Sequence, residues 1–99
     1  MAKLIYDPLA KVEIKEAAAY YENCREGLGK AFLETIERNV QKLAENPLHY
    51  RKIRGRFRRC IVNRFPYGII YSIESDFIFI AAVMHLHREP NYWLQRLKK

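Results

Sequence analysis

"YGIIYSIESDFIFIAAVMH", Tyr67 to His85, is the stretch whose reading decides the fold. Two runs rich in β-branched and aromatic residues flank the polar triplet Glu74-Ser75-Asp76, the pattern of two strands joined by a hairpin turn. Both runs are nearly continuous in apolar residues, which predicts central strands covered on at least one face by helices. Immediately upstream, "FRRCIVNRF", Phe57 to Phe65, reads as a further strand of the same kind. Downstream, "PNYWLQRLKK" predicts a short final helix started by Pro90.

The N-terminal half carries a different period. "KLIY" is a short opening strand. Asp7-Pro8 then supplies an N-cap and a proline for the first helical position. Ala10, Ile14, Ala17, Tyr21 and Cys24 recur at spacings of three or four, one apolar face of a helix. "REGLGK" breaks that helix with two glycines. A second helix follows, with Leu33, Ile36, Val40 and Leu43 on one face and Glu34, Glu37, Arg38, Gln41 and Lys42 on the other, ended by Asn46-Pro47. Two amphipathic helices joined by a short glycine turn make an αα-hairpin. The expected order is β-α-α-β-β-β: an α+β fold, an antiparallel sheet packed against an N-terminal αα-hairpin with a short C-terminal helix.

The 99 residues suffice for one domain, 1–99, with one core. The longest apolar run, Phe77 to Met84, is too short to span a bilayer. "MAKLIYDPLAK" has no apolar signal region, so a cytoplasmic protein is the expectation. Cys24 and Cys60 lie far apart and read as two buried small apolar residues. Charge is uneven: residues 1–50 balance at −1, and residues 51–99 at +8. "RKIRGRFRRCIVNR", Arg51 to Arg64, holds seven basic residues and no acid. Such a field attracts phosphates or acidic protein segments.

"HLHREPNYW", His85 to Trp93, concentrates the groups that carry chemistry. On a strand His85 and His87 would point to one face, but zinc needs three or four ligands and no third is evident. No metal and no cofactor are expected. Metal-free RNA cleavage needs a base, an acid and cations for the phosphorane charge. Arg64, His85, His87, Arg88 and Tyr92 could supply them. The plainer reading packs His85 against Tyr92 or Trp93 and pairs Arg88 with Glu89 or a helix carboxylate. No glycine falls in a phosphate-cradling pattern.

Taken in order, "EIKEAAAYYE", "GLGKAFLETIERNVQKLAENP", "RFPYGIIYSI" and "IAAVMHLHREPNYWLQR" resemble the RelE/ParE superfamily of toxins from type II toxin–antitoxin systems, most of all its ParE-like branch, often labelled plasmid stabilisation proteins. The resemblance runs from Tyr6 to Arg96, and its most specific part is Arg64-Phe65-Pro66-Tyr67 followed by Val83, His85, Arg88, Pro90 and Trp93. It implies one of two activities. RelE-like members are ribosome-dependent mRNA endoribonucleases; ParE-like members inhibit DNA gyrase and stall it on DNA. In the nucleases an arginine follows the aromatic residue that matches Tyr67, and here that place is Gly68. A second catalytic arginine aligns with Leu86, beside His85, His87 and Arg88. A C-terminal tyrosine does match, as Tyr92. Losing phosphate-stabilising cations favours the ParE-like reading, with no catalytic residue.

That reading makes Arg58, Arg59, Arg64, Arg88, Tyr92 and Trp93 the target-binding candidates. It also implies a cognate antitoxin, expected to be acidic because the sheet half is +8. An amphipathic helix of the antitoxin would lie on the αα-hairpin near Leu33, Ile36 and Val40, with Arg54 and Arg56 among its contacts. An extended part would add a strand to the sheet edge. No membrane and no small-molecule cofactor enter either reading.

Overall fold

The computed structural model describes residues 3–97. The chain opens with β1 (Lys3–Tyr6), then α1 (Pro8–Cys24) and α2 (Leu28–Glu45), then β2 (Arg51–Arg54), β3 (Phe57–Ile61), β4 (Tyr67–Ile73) and β5 (Phe77–His85), and closes with a 3-10 helix (Tyr92–Leu97). The helical hairpin, the central β4–β5 hairpin and the closing helix are those expected from the sequence. The last two lysines of the expected C-terminal helix lie outside the described residues.

Two details of the sheet differ from the expectation. The basic run supplies two strands rather than one, because Gly55, at φ 53°, lets the chain turn between Arg54 and Phe57. The spatial order is β1-β5-β4-β3-β2. β2 to β5 form an antiparallel meander, but β1 pairs parallel with β5, Lys3 opposite Phe77 through Tyr6 opposite Ile80. The sheet is therefore mixed. The αα-hairpin makes the crossover that a parallel neighbour needs.

Local chemistry sets the helix ends. The Asp7 carboxylate accepts the Leu9 N–H at 2.9 Å, and Pro8 opens α1. At the inter-helix turn, Glu22 of α1 accepts the N–H groups of both Gly27 and Gly29, each at 2.9 Å. These bonds hold its carboxyl below the ordinary range. Gly29 is required there: a Cβ would stand 2.5 Å from the Ala18 carbonyl oxygen on the facing helix.

The sheet has two faces and a core on each. Facing the helices, Phe32, Ile36, Val40 and Leu43 pack on Cys60, Ile69, Tyr71, Ile78, Ile80 and Val83. On the outer face, the 3-10 helix drops Trp93 onto Phe57, Ile70, Ala82 and Met84. β5 carries a bulge at Ala81: Tyr71 lies opposite Ile80 and Ile70 opposite Ala82, leaving Ala81 unmatched. Two successive alanines therefore face outward together.

One expected core residue is not buried. Cys60 sits in the core, but Cys24, the last residue of α1, is exposed. Neither thiol forms a disulfide.

Candidate functional site

Arg88 and Tyr92 of "HLHREPNYW" gather at one end of the sheet, around a residue that sequence reasoning missed. Glu13, on α1, reaches β5 just past the end of β1. Its Oε1 accepts the Val83 N–H at 3.0 Å and Arg96 Nη1 at 3.0 Å; its Oε2 accepts Arg96 Nη2 at 2.7 Å and the Tyr92 hydroxyl. Arg88 lies 3.5 Å from the same carboxylate and stacks over the Tyr92 ring at 3.6 Å. Arg96 also donates to the Ala81 carbonyl at 3.0 Å. A strand edge that β1 leaves open is thus closed by side chains, at the bulge.

Glu13 and Arg96 are about nine-tenths buried, where a charge needs a partner. The arrangement supplies one, since both guanidinium nitrogens meet the carboxylate in a bidentate pair. Tyr92 is held as a neutral phenol: burial and the bond to Glu13 both push its pKa up. The expected pairing of Arg88 with a helix carboxylate is met at Glu13. Nothing local in the sequence marks Glu13. It is an ordinary acid on a helix, and its partners lie some 70 to 83 positions away.

The other candidates are distributed as follows. His85 ends β5 and packs on Tyr67 at 5.3 Å between ring centroids, rather than on Tyr92 or Trp93. Its Nδ1 accepts the His87 N–H at 3.1 Å, and the two imidazoles stand 5.2 Å apart. Among the described residues no three metal-ligating groups come together. Arg64 is exposed in the β3–β4 loop with φ 72°, and it lies over Phe65. That left-handed conformation is uncommon for arginine. Asn63 beside it is tied to Asn39 at 3.0 Å.

Two target-binding candidates, Trp93 and Arg58, are placed differently from the expectation. Trp93 is fully buried, its ring tilted against Phe57 at 4.9 Å between centroids with its indole N–H on the Pro90 carbonyl, so it is a core residue and not an interface anchor. Arg58 points to the helix side and donates to the Leu48 and Tyr50 carbonyls, a strut for the loop before β2. Arg59 points to the outer face, and its methylene stem covers Gly68. A Cβ on Gly68 would meet Arg59 Cδ at 3.0 Å, Arg59 Cγ at 3.1 Å and Leu86 Cδ2 at 3.3 Å.

The antitoxin-binding candidates divide in the same way. Val40 is core, 2% exposed, and offers no surface. Leu33 is nearly half exposed, and with Ile36 it lines a groove of about 410 Å³ between the helices and β1, together with Tyr6, Lys11, Ile14, Lys15 and Glu37. Arg54 and Arg56 are exposed near the tip of the β2–β3 hairpin, and Arg56 pairs with Glu74 at 3.0 Å.

The family model of the ParE toxin of type II toxin–antitoxin systems (parDE) matches residues 4–90. The chain belongs to the ParE toxin family. Among solved structures, the chromosomal ParDE toxin–antitoxin system from P. aeruginosa is similar in fold. It has 14% identity and a TM-score of 0.74, over 88% of this ParE chain and 98% of that one. No curated protein sequence matches. No helix among the described residues is long and apolar enough to cross a membrane.

Proposed function

We propose that this ParE-family chain inhibits growth in the cytoplasm by binding and poisoning DNA gyrase, and that a cognate acidic antitoxin neutralises it. The observation that carries the reading is the Glu13 cluster. Tyr92 and Arg88, two of the groups an RNA-cleaving site would use, are both engaged by the Glu13 carboxylate, which Arg96 also pairs. A phenol raised in pKa is a poor proton donor or acceptor near neutral pH. At Gly68, the place of a further catalytic cation, the Arg59 stem fills the space above the backbone.

One observation favours the second reading, a ribosome-dependent mRNA endoribonuclease: the adjacent His85 and His87 imidazoles at the sheet end. Inducing the chain without its antitoxin separates the two. DNA synthesis falling first, and cleaved DNA–gyrase complexes accumulating with purified gyrase, are expected. A prompt fall in protein synthesis with DNA synthesis intact, abolished by His85→Ala, would overturn the gyrase reading.

For the antitoxin, the groove beside Leu33 and Ile14 has the apolar floor and lysine rim that suit an amphipathic helix with an acidic flank. The two sheet edges are unequal as acceptors of a further strand. β2 is irregular at Ile53 and lined with Arg51, Lys52 and Arg54. Bulges and charges of this kind block strand addition. β1 is regular, mostly apolar and continuous with the groove through Tyr6. β1 is therefore the edge this reading assigns to the antitoxin. Leu33→Glu should abolish neutralisation and leave toxicity intact.

A further inference from the structure

The β2–β3 hairpin sets like charges directly against each other. Arg51 is opposite Arg59, and Lys52 is opposite Arg58. Facing cross-strand pairs of one sign are destabilising, and two in succession call for a compensating role. The inner pair has one: Arg58 braces the Leu48 and Tyr50 carbonyls. Among the described residues, the guanidinium groups of the outer pair have none. The ion pairs among the described residues engage Arg56, Arg88 and Arg96, and neither Arg51 nor Arg59.

We propose that the outer face of this hairpin binds the phosphate backbone of duplex DNA through Arg51 and Arg59, with Gly68 as the floor that fixes the Arg59 stem. The stem lies against Gly68, which lowers the entropy lost when the guanidinium engages a phosphate. The strands hold the two cations side by side on a rigid sheet, a geometry for backbone contact without base reading. Single-stranded nucleic acid is disfavoured, because binding it relies on exposed aromatic platforms. Here Phe57 and Trp93, the two large rings of this face nearest the hairpin, are buried. The contact does not depend on which target the chain poisons, and its test contains no gyrase.

The test is binding of the purified chain to a labelled duplex of about 20 base pairs, followed by fluorescence anisotropy from roughly 50 to 200 mM salt. Arg51→Gln with Arg59→Met removes both charges and keeps an aliphatic stem over Gly68. Lys30→Gln with Lys42→Gln removes the same charge from α2. The hairpin pair should weaken binding and lower the slope of log affinity against log salt by about two. The α2 pair should leave the slope near that of the original chain, and circular dichroism should show both variants folded. The proposal is overturned by an unchanged slope in the hairpin variant, or by an equal fall in the α2 variant. Tighter binding of single-stranded RNA than of duplex would also overturn it, as would equal competition by a poly-glutamate peptide of matched charge.

Discussion

On the α1 side of the sheet, Arg88 and Arg96 converge on Glu13; on the β2–β3 hairpin, Arg51 faces Arg59 and Lys52 faces Arg58 with no carboxylate between them. Burial separates the two regions. Arg96 is inside, so its charge must be met by the fold. The hairpin arginines reach solvent or lie half-buried, so water and salt can screen them. A residue type that closes the structure in one place is available for a partner in the other. Only the three-dimensional surroundings tell which.

Breaking the closed region should have the largest effects. Trp93→Ala removes the side chain that anchors the 3-10 helix on the outer face and should cost about 4 kcal/mol in urea unfolding. Glu13→Gln leaves the buried Arg96 charge without its counter-ion and should cost about 3 kcal/mol. If Glu13→Gln were instead neutral, the cluster would be held by packing and the contrast with the hairpin would fail. Gly68→Ala pushes a methyl group against the Arg59 stem. That stem is flexible, so the loss should be near 1 kcal/mol. Arg51→Gln relieves a repulsive pair and should raise stability by about 0.3 kcal/mol; a loss of stability would show that the facing arginines are not in conflict.

The smallest effect belongs to pH. The Ser72 hydroxyl and Arg56 hold the Glu74 carboxyl below its ordinary value. A carboxyl with a depressed folded-state pKa contributes stability above its unfolded value. That contribution is lost as pH falls through the folded one. Thermal unfolding should show a shallow acid limb below the ordinary carboxylate range, which Glu74→Gln reduces and which the Glu22 carboxyl, also held low, keeps in part.

Elements built on local pattern were readable from sequence. The Asp7-Pro8 cap, the glycine-broken helical hairpin and the Glu74–Asp76 turn each carry their signal within a few residues, and all three stand as expected. What escaped depends on distant partners. β2 was missed and only the strand from Phe57 was legible, because Gly55 turns the chain amid arginines that mask the turn. The parallel pairing of β1 is decided by β5, more than 70 positions away. Trp93 looked like an interface anchor, since the residues that anchor interfaces are also those that fill cores, and only the position of the 3-10 helix separates the two. The RelE/ParE resemblance succeeded because it drew on the order of motifs along the whole chain.

The unmatched Ala81 has a further consequence. On either side of it β5 alternates regularly, with Ile78 and Ile80 inward before it, and Ala82 outward, Val83 inward and Met84 outward after it. A chain shorter by that one alanine would keep every other core side chain on its present side. It would lose the Ala81 methyl from the outer core and the carbonyl that Arg96 grasps. Shortening the strand at this point thus costs the hydrophobic core one methyl group and costs the Glu13 cluster its tie to the sheet. A deletion there would disconnect the cluster from the sheet without scrambling the interior, a way to take the latch off while leaving the door in its frame.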